Sequence, residues 1–278
     1  MADDLAALIE HRFGPADGAG AGMPADGPLA LFLNHRTHRR YADKPVPEEL
    51  MHALLACALS VPAKSDLQQV SILRVEDPDL RAKIGALIPS MPWIVKAPRF
   101  MVFCGDSRRI RRICELRGKP FANDHLDAFL NAATDTALAL ASFLWAAESA
   151  GLGCCPISVV RNHIDEVSEL LGLPGHVFPY AGLCVGYPAQ TGWVSMRLPM
   201  SATVHTDRYD DSDLPAALDG YDDRRSARHQ IPPESQRMTD AYGVAERYGW
   251  SEDKARQVSE RERDQLARYL RKQGFNLD

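Results

Sequence analysis

The stretch NDHLDAFLNAATDTALALASFLWAAESA, residues 123–150, contains neither glycine nor proline and is rich in alanine. It predicts one long helix, which Gly151 and Gly153 would end because glycine readily adopts the backbone conformations that follow a helix. From Ala132 to Ala147 apolar residues lie on all sides, a pattern typical of a buried helix. Its small side chains suit close packing against another helix, and a partner subunit is one candidate to supply that helix.

Three other apolar segments predict strands: VSILRV at 70–75, APRFMVFCGD at 97–106 and PYAGLCVGYP at 179–188. The second is apolar on both faces, which indicates a central strand. CPISVV at 155–160 predicts a short extended piece. Together with the helices predicted between them, these segments indicate a mixed α/β protein with one sheet.

The two ends of the chain differ in character from its middle. Residues 3–13 predict a short helix, and the Gly/Ala/Pro stretch 14–28 predicts a loop whose glycines do not fit the dinucleotide-binding pattern GxGxxG. Beyond Pro199 the sequence becomes polar. The last predicted helix, about 251–273, has little core of its own to bury, so we expect it to pack on another element such as the partner subunit.

Composition places the chain among ordinary globular proteins, with 278 residues of which 45% are hydrophobic. No apolar run reaches the ~18 residues that a membrane helix needs, and the acidic start lacks the basic region of a secretory signal. We therefore expect a cytoplasmic protein. The net charge of −5 speaks against a general nucleic-acid binder. Cys57, Cys104 and Cys184 lie in apolar stretches, which predicts buried free thiols.

Against this acidic background, HRTHRRY at 35–41 concentrates basic side chains. Arginine presents a planar fork of N–H donors that fits two phosphate oxygens at once, so the cluster predicts an anion site. A solvated basic turn is the alternative. His35 and His38 could begin a metal site, but no further ligands at suitable spacing accompany them, and we expect no metal.

Four segments, in order, resemble the FMN-dependent nitroreductases, in particular their branch of NADPH-dependent flavin and nitro reductases. They are HRTHRRY with the following PVPEELMHALL, AKSDLQ at 63–68, RNHIDEVSELLGLPGHVFPYAGLCVGYPA at 161–189, and MRLP at 196–199 with GYDD at 220 and the closing WSEDKARQVSERERDQLARYLRKQGF. The resemblance implies an α+β fold, with a mostly antiparallel central sheet flanked by helices, in an intertwined homodimer.

The resemblance also implies a domain division and a reaction. The chain would comprise an N-terminal extension (residues 1–28), a nitroreductase-like core (29–200) and a C-terminal arm (201–278) that packs on the partner subunit. It would be an FMN-dependent oxidoreductase that uses NADPH or NADH in a ping-pong sequence to reduce nitro compounds, quinones or flavins. Because the flavin carries the hydride, no catalytic side chain is expected.

The basic cluster is where the resemblance places the FMN phosphate. His35, Arg36 and Thr37 would hold the phosphate or the ribityl chain, and Arg39 would hold the flavin or a phosphate-bearing nucleotide. Arg197 would reach the same phosphate. The branch usually has a lysine two residues before this arginine, whereas this chain has Ser195, so one positive charge is missing.

Two further segments would contact the flavin ring. In AKSDLQ the resemblance assigns Ser65 and Gln68 to the ring edge, and Lys64 near N1 and O2 would stabilise the anionic reduced flavin; an exposed surface charge is the alternative for Lys64. Where the branch commonly has a Gly-Gly pair over flavin N5 and O4, this chain has Ile157, Ser158 and Val159. We expect the backbone of Pro156, Ile157 and Ser158 to contact the cofactor there, with a differently shaped substrate face.

Arg224, Arg225 and Arg228 follow GYDD, and the resemblance implies a loop in which they bind the 2'-phosphate of NADPH. A flexible charged loop is the alternative.

Two other functions stay open at this point. One is an FMN enzyme of the same fold with a dedicated small-molecule substrate that it oxidises, dehalogenates or degrades. The other is a non-catalytic flavin- or nucleotide-binding protein.

Overall fold

The computed structural model describes residues 4–15 and 17–278. Within them, one sheet of four strands forms in the order β1-β2-β4-β3, and every neighbouring pair is antiparallel. Its strands are β1 (Val70–Arg74), β2 (Arg99–Asp106), β3 (Gly153–Ile157) and β4 (Val177–Gly186). The α+β fold class is thereby confirmed, and β2 is a central strand as its two apolar faces predict.

Twelve α-helices lie within the described residues. They are α1 (Leu5–Phe13), α2 (Gly27–Leu33), α3 (Glu48–Leu59), α4 (Pro78–Leu87), α5 (Trp93–Lys96), α6 (Arg108–Leu116), α7 (Leu126–Ser149), α8 (Ile164–Leu170), α9 (Leu214–Arg228), α10 (Thr239–Tyr242), α11 (Trp250–Val258) and α12 (Leu266–Lys272). No helix in this described part of the chain is both long and apolar enough to cross a bilayer.

Alternate side chains of β2 fill two apolar layers because successive residues of a strand point to opposite faces. Met101 and Phe103 face the layer that contains α3 and α7, where Phe103 and Phe143 meet edge to face with ring centroids 6.0 Å apart. Phe100 and Val102 face the layer that contains α4, α5 and α8. The sheet is therefore covered by helices on both faces.

The long helix α7 is present, but its part from Ala132 to Ala147 is not buried on every side in the single chain, since Leu138 and Trp145 are 41% and 38% exposed. Asp135 and Thr136 point inward and are buried, whereas Leu126, Leu130 and Leu138 are 50%, 56% and 41% exposed. These three leucines and the exposed Thr134 recur every four residues, so they form one stripe along the helix. We call it the α7 stripe.

Two other expectations about elements need correction. The segment 155–160 is extended only to Ile157, after which residues 158–161 form a 3-10 turn. The last predicted helix is two helices, α11 and α12, separated by a segment in which Arg263 has a left-handed φ of 61°. Tyr269 and Leu270 of α12 are 1% and 2% exposed and pack against residues of α7, α8 and β4, so this helix does pack on other elements, and they belong to the same chain.

The chain forms two compact units. The sheet unit comprises Arg36–Gly192 and Arg263–Asp278, and the helical unit comprises Met1–His35 and Trp193–Glu262. The division into extension, core and arm stays a prediction.

Four cysteines are buried free thiols, Cys104, Cys154, Cys155 and Cys184, and burial raises the pKa of each. Cys57 is exposed, contrary to the prediction.

Candidate functional site

The basic segment Arg36–Tyr41 runs along the outer edge of β3. The His38 N–H donates to the Cys154 carbonyl at 2.9 Å. The His38 ring lies against Gly153, where a Cβ would come within 2.7 Å of three His38 carbons. Tyr41 donates its hydroxyl to the His38 carbonyl at 2.7 Å, and burial raises the pKa of Tyr41 well above its ordinary value. The segment is thus fixed by backbone and side-chain contacts to the sheet.

A cavity of about 620 Å³ opens beside this segment. Its lining residues are basic or aromatic apart from one proline: Arg39, Arg40, Tyr41, Pro92, Trp93 and Lys96. The Arg39 guanidinium carbon lies 5.7 Å from the centroid of the Trp93 ring, within cation–π range. Trp93 Nε1 is buried beside the Cys155 thiol. Three cations and aromatic walls suit an anionic, aromatic ligand.

The turn Lys64–Gln68 adopts an unusual backbone conformation. Ser65, Asp66 and Gln68 all have left-handed φ angles, of 49°, 56° and 52°. Such angles disfavour residues other than glycine. The Asp135 carboxylate, 2% exposed on α7, accepts the N–H groups of Lys64 at 2.9 Å and Gln69 at 3.1 Å, one at each end of the turn. A buried carboxylate therefore stabilises the conformation that presents Lys64, Ser65 and Gln68 to solvent.

The structure does not bring this turn and the basic segment together within one chain. The turn precedes Val70 of β1, and Val70 pairs with Gly105 of β2. The basic segment borders Cys154 of β3, which pairs with Val185 of β4. Val185 in turn pairs with Arg99 of β2. Six residue steps along β2 and three strand spacings separate these corners of the sheet, a diagonal of about 25 Å. The two predicted parts of the flavin site therefore lie far apart in one chain.

The segment Pro156–Ser158 divides its side chains between core and surface. Ile157 is 1% exposed and packs into the layer with α8, so its side chain points away from any ligand at the surface. Pro156 and Ser158 are exposed. The Arg263 guanidinium donates to Asn162 Oδ1 at 2.8 Å and to Ser158 Oγ at 3.4 Å. The Ile157 side chain is therefore accommodated by the core.

Within the helical unit, His35 and Arg197 share one neighbour, Arg12. Arg12 Nη1 donates to the His35 carbonyl at 3.0 Å, and the Arg197 N–H donates to the Arg12 carbonyl at 2.7 Å. The Arg197 guanidinium donates to Ser195 Oγ at 2.6 Å. Ser195 is thus an acceptor that orients Arg197.

The three arginines predicted to lie in a loop are on a helix, α9, and that expectation is wrong. Arg225 donates to the Tyr221 hydroxyl at 3.1 Å and lies 5.7 Å from the Trp193 ring, which stacks on His229 at a centroid distance of 4.9 Å. Helical spacing puts Arg224 and Arg228 on one face because they are four residues apart. Whether they bind a nucleotide phosphate stays a prediction.

Two residues that position the predicted ligands were missed in the sequence. Asp135 is a carboxylate inside an otherwise apolar helix stretch, and a buried charge needs partners, so its position was a usable signal. Arg12 is 6% exposed, but nothing in LAALIEHRF marks it as buried.

Among the residues that the structure describes, no group of three or more His, Cys, Asp or Glu is arranged to hold a metal ion.

Comparison with known proteins gives extended matches. The profile described as nitroreductase family matches residues 33–187, and the profile described as nitroreductase family, C-terminal domain, matches residues 195–278. The FMN reductase (NAD(P)H) of Bacillus subtilis is 34% identical over 253 residues, 90% of this chain and 98% of the relative. The oxygen-insensitive NADPH nitroreductase of Salmonella typhimurium is 35% identical over 248 residues, 89% and 97% of the two chains. The solved structure of B. megaterium NfrA2 has a TM-score of 0.81 and 32% identity, covering 90% of this chain and 98% of that one.

Proposed function

Since the chain belongs to the nitroreductase family, we propose that it is a flavin-dependent oxidoreductase that uses NAD(P)H, by a ping-pong mechanism, to reduce nitro compounds, quinones or flavins. The observation that carries the proposal is the cationic and aromatic cavity at Arg39 and Trp93, which lies in the part of the chain that the family profile matches. Relatives named FMN reductase and NADPH nitroreductase support the same chemistry.

The residues present fit FMN. Arg36 and Arg39 supply guanidinium donors for a phosphate, and Trp93 and Tyr41 give the cavity aromatic walls for a ring. His35, Thr37 and Arg197 complete the phosphate and ribityl set in the proposal. Lys64, Ser65, Gln68 and the backbone of Pro156, Ile157 and Ser158 are assigned to the ring.

FMN, when bound, supplies the acceptance and delivery of a hydride at its N5 atom. The residues of the chain bind and orient the reactants around it. The Lys64 ammonium stabilises negative charge at the pyrimidine edge, while Arg225 and its neighbours on α9 bind the phosphate of the nicotinamide nucleotide. The proposal assigns no side chain as general acid or nucleophile. NADPH or NADH and the final acceptor occupy the same slot in turn, which is the origin of the ping-pong order.

We further propose a homodimer with composite sites. The turn Lys64–Gln68 and the basic segment Arg36–Tyr41 lie at opposite corners of the sheet, so a flavin that contacts both takes one from each of two copies. The α7 stripe supplies an apolar surface for that association, since Leu126, Leu130 and Leu138 are each at least 41% exposed in the single chain. Burial of such side chains between subunits is favourable.

The first test is the content of flavin in the purified protein. We expect a yellow protein that releases FMN on heat denaturation, and bleaching of the visible flavin bands when NADPH or NADH is added without oxygen. Arg39→Ala should lower the amount of FMN bound per protein chain. Lys83→Ala is the matched control, because it removes one exposed positive charge elsewhere. A colourless wild-type protein that also ignores added FMN would refute the proposal.

A second test addresses the attachment of the basic segment to β3. Gly153→Ala places a methyl group within 2.7 Å of the His38 ring, so the segment must shift away from the strand. We expect FMN to bind about tenfold more weakly, equivalent to about 1.4 kcal/mol. Titration of the apoprotein followed by flavin fluorescence measures this change. Ser149→Ala, an exposed change at the end of α7, is the control, and equal FMN affinity in both variants would contradict the assignment.

A further inference from the structure

The end of the N-terminal helix, His11–Gly14, contacts several of the predicted anion ligands; we call it the α1 end. It lies outside the matched family profile, which begins at residue 33. The Arg12 guanidinium links the carbonyls of Leu33 and His35, at 3.2 and 3.0 Å, and the Arg12 carbonyl accepts the N–H of Arg197. The α1 end is therefore an integral part of the helical unit.

Arg228 is held by the last turn of α1. Its Nη1 donates to the His11 carbonyl at 2.6 Å and lies 3.3 Å from His11 Nδ1. The last carbonyls of a helix have no partner within the helix, and they attract cations. Part of the hydrogen-bonding capacity of Arg228 is thus used by the α1 end.

Arg224 is covered by Gly14. A Cβ at Gly14 would lie 2.8 Å from Arg224 Nε and 3.1 Å from Nη2, so the guanidinium packs directly on the glycine backbone. Arg224 Nε and Nη2 are buried and have no hydrogen-bond partner among the described residues. These two nitrogens form one of the forks by which arginine binds a carboxylate or phosphate. The α1 end shields that fork from solvent.

We propose that the α1 end determines the preference between NADPH and NADH. NADPH differs from NADH only in its 2'-phosphate. The contacts of the α1 end keep Arg224 and part of the hydrogen-bonding capacity of Arg228 from binding that phosphate, so they weaken the binding of NADPH but not that of NADH. This inference rests on the proposed function, in which the arginines of α9 bind that phosphate. Binding of a dianion requires Arg228 to give up its hydrogen bond to the His11 carbonyl, which is costly. It also requires Arg224 to leave its place against Gly14.

The test is Gly14→Ala in the full-length protein, assayed with saturating FMN. The new methyl group collides with Arg224 and separates it from the α1 end. We expect the KM for NADPH to fall about tenfold while the KM for NADH stays the same. Gly18→Ala is the matched control. Gly18 also has a left-handed φ, of 76°, but its methyl group would meet no atom of a described residue beyond its chain neighbours within 4 Å.

Two further variants separate the possible failures. Gly14→Ala combined with Arg224→Ala should lose the gain in NADPH affinity. Leu5→Asp changes a 4% exposed position of α1 and should loosen the helix without changing the arginines. We expect it to shift the ratio of the two KM values in the same direction as Gly14→Ala. It replaces Gly14→Ala in the test if that variant does not fold. If Arg225→Ala raises the KM for NADPH but Gly14→Ala and Leu5→Asp leave the ratio unchanged, the inference is wrong. If Arg225→Ala has no effect on either nucleotide, the proposed nucleotide site is wrong.

Discussion

Leu138→Asp is expected to convert the protein to monomers that do not retain FMN. Leu138 is 41% exposed in the α7 stripe, on the helix that the dimer proposal places at the subunit interface. A carboxylate there would be buried without a partner on association, at a cost of several kcal/mol. Because the proposal divides the flavin site between opposite corners of one sheet, a monomer would offer only half of the proposed contacts.

Light scattering coupled to size-exclusion chromatography measures the mass, and absorbance of the same peak measures the flavin. The matched control is Leu116→Asp, because Leu116 is 73% exposed on α6, away from the stripe. A Leu138→Asp protein that remains a dimer would show that the stripe is not the interface. A monomer with a full complement of FMN would show that each site is complete within one chain.

The sequence predicted α7 and the interior position of β2 because both depend on local periodicity. It did not predict the exposed stripe, since apolar residues on every side of a helix do not reveal which side lacks a neighbour. The basic cluster was recognisable from its own residues. Its partner Trp93 lies far away in the sequence and meets Arg39 only through the fold.

The errors near the C-terminus have opposite physical causes. Arg224, Arg225 and Arg228 were expected to lie in a loop, yet they end the helix LPAALDGYDDRRSAR, in which Pro215 at the first turn and the alanine, leucine and arginine residues favour helix. The stretch between α11 and α12 has residues that favour a helix, but the chain turns at Arg263. There the Arg263 guanidinium donates to Asn162 and the Gln265 amide donates to the carbonyls of Arg161 and Asn162. Tertiary hydrogen bonds override local propensity at that point.

Asp135→Ala is expected to reduce both the stability of the fold and the affinity for FMN. It leaves the N–H groups of Lys64 and Gln69 without their acceptor, at about 1–3 kcal/mol for each group that stays buried. It also removes the contact that stabilises three left-handed residues, a conformation that costs about 1–2 kcal/mol per residue. We expect a loss of about 3–5 kcal/mol in the free energy of unfolding and an apoprotein that binds FMN weakly.

Asp135→Asn separates the two roles of this carboxylate. The amide keeps one acceptor oxygen, so it can hold one end of the turn but not both, and the charge is lost. We expect an unfolding free energy between those of wild type and Asp135→Ala, together with a marked loss of FMN affinity because Lys64, Ser65 and Gln68 are no longer held in one conformation. Urea denaturation and flavin titration measure the two effects, with exposed Asp127→Asn on the same helix as control. If Asp135→Asn bound FMN as tightly as wild type while being less stable, Asp135 would support the fold without positioning the turn for the cofactor.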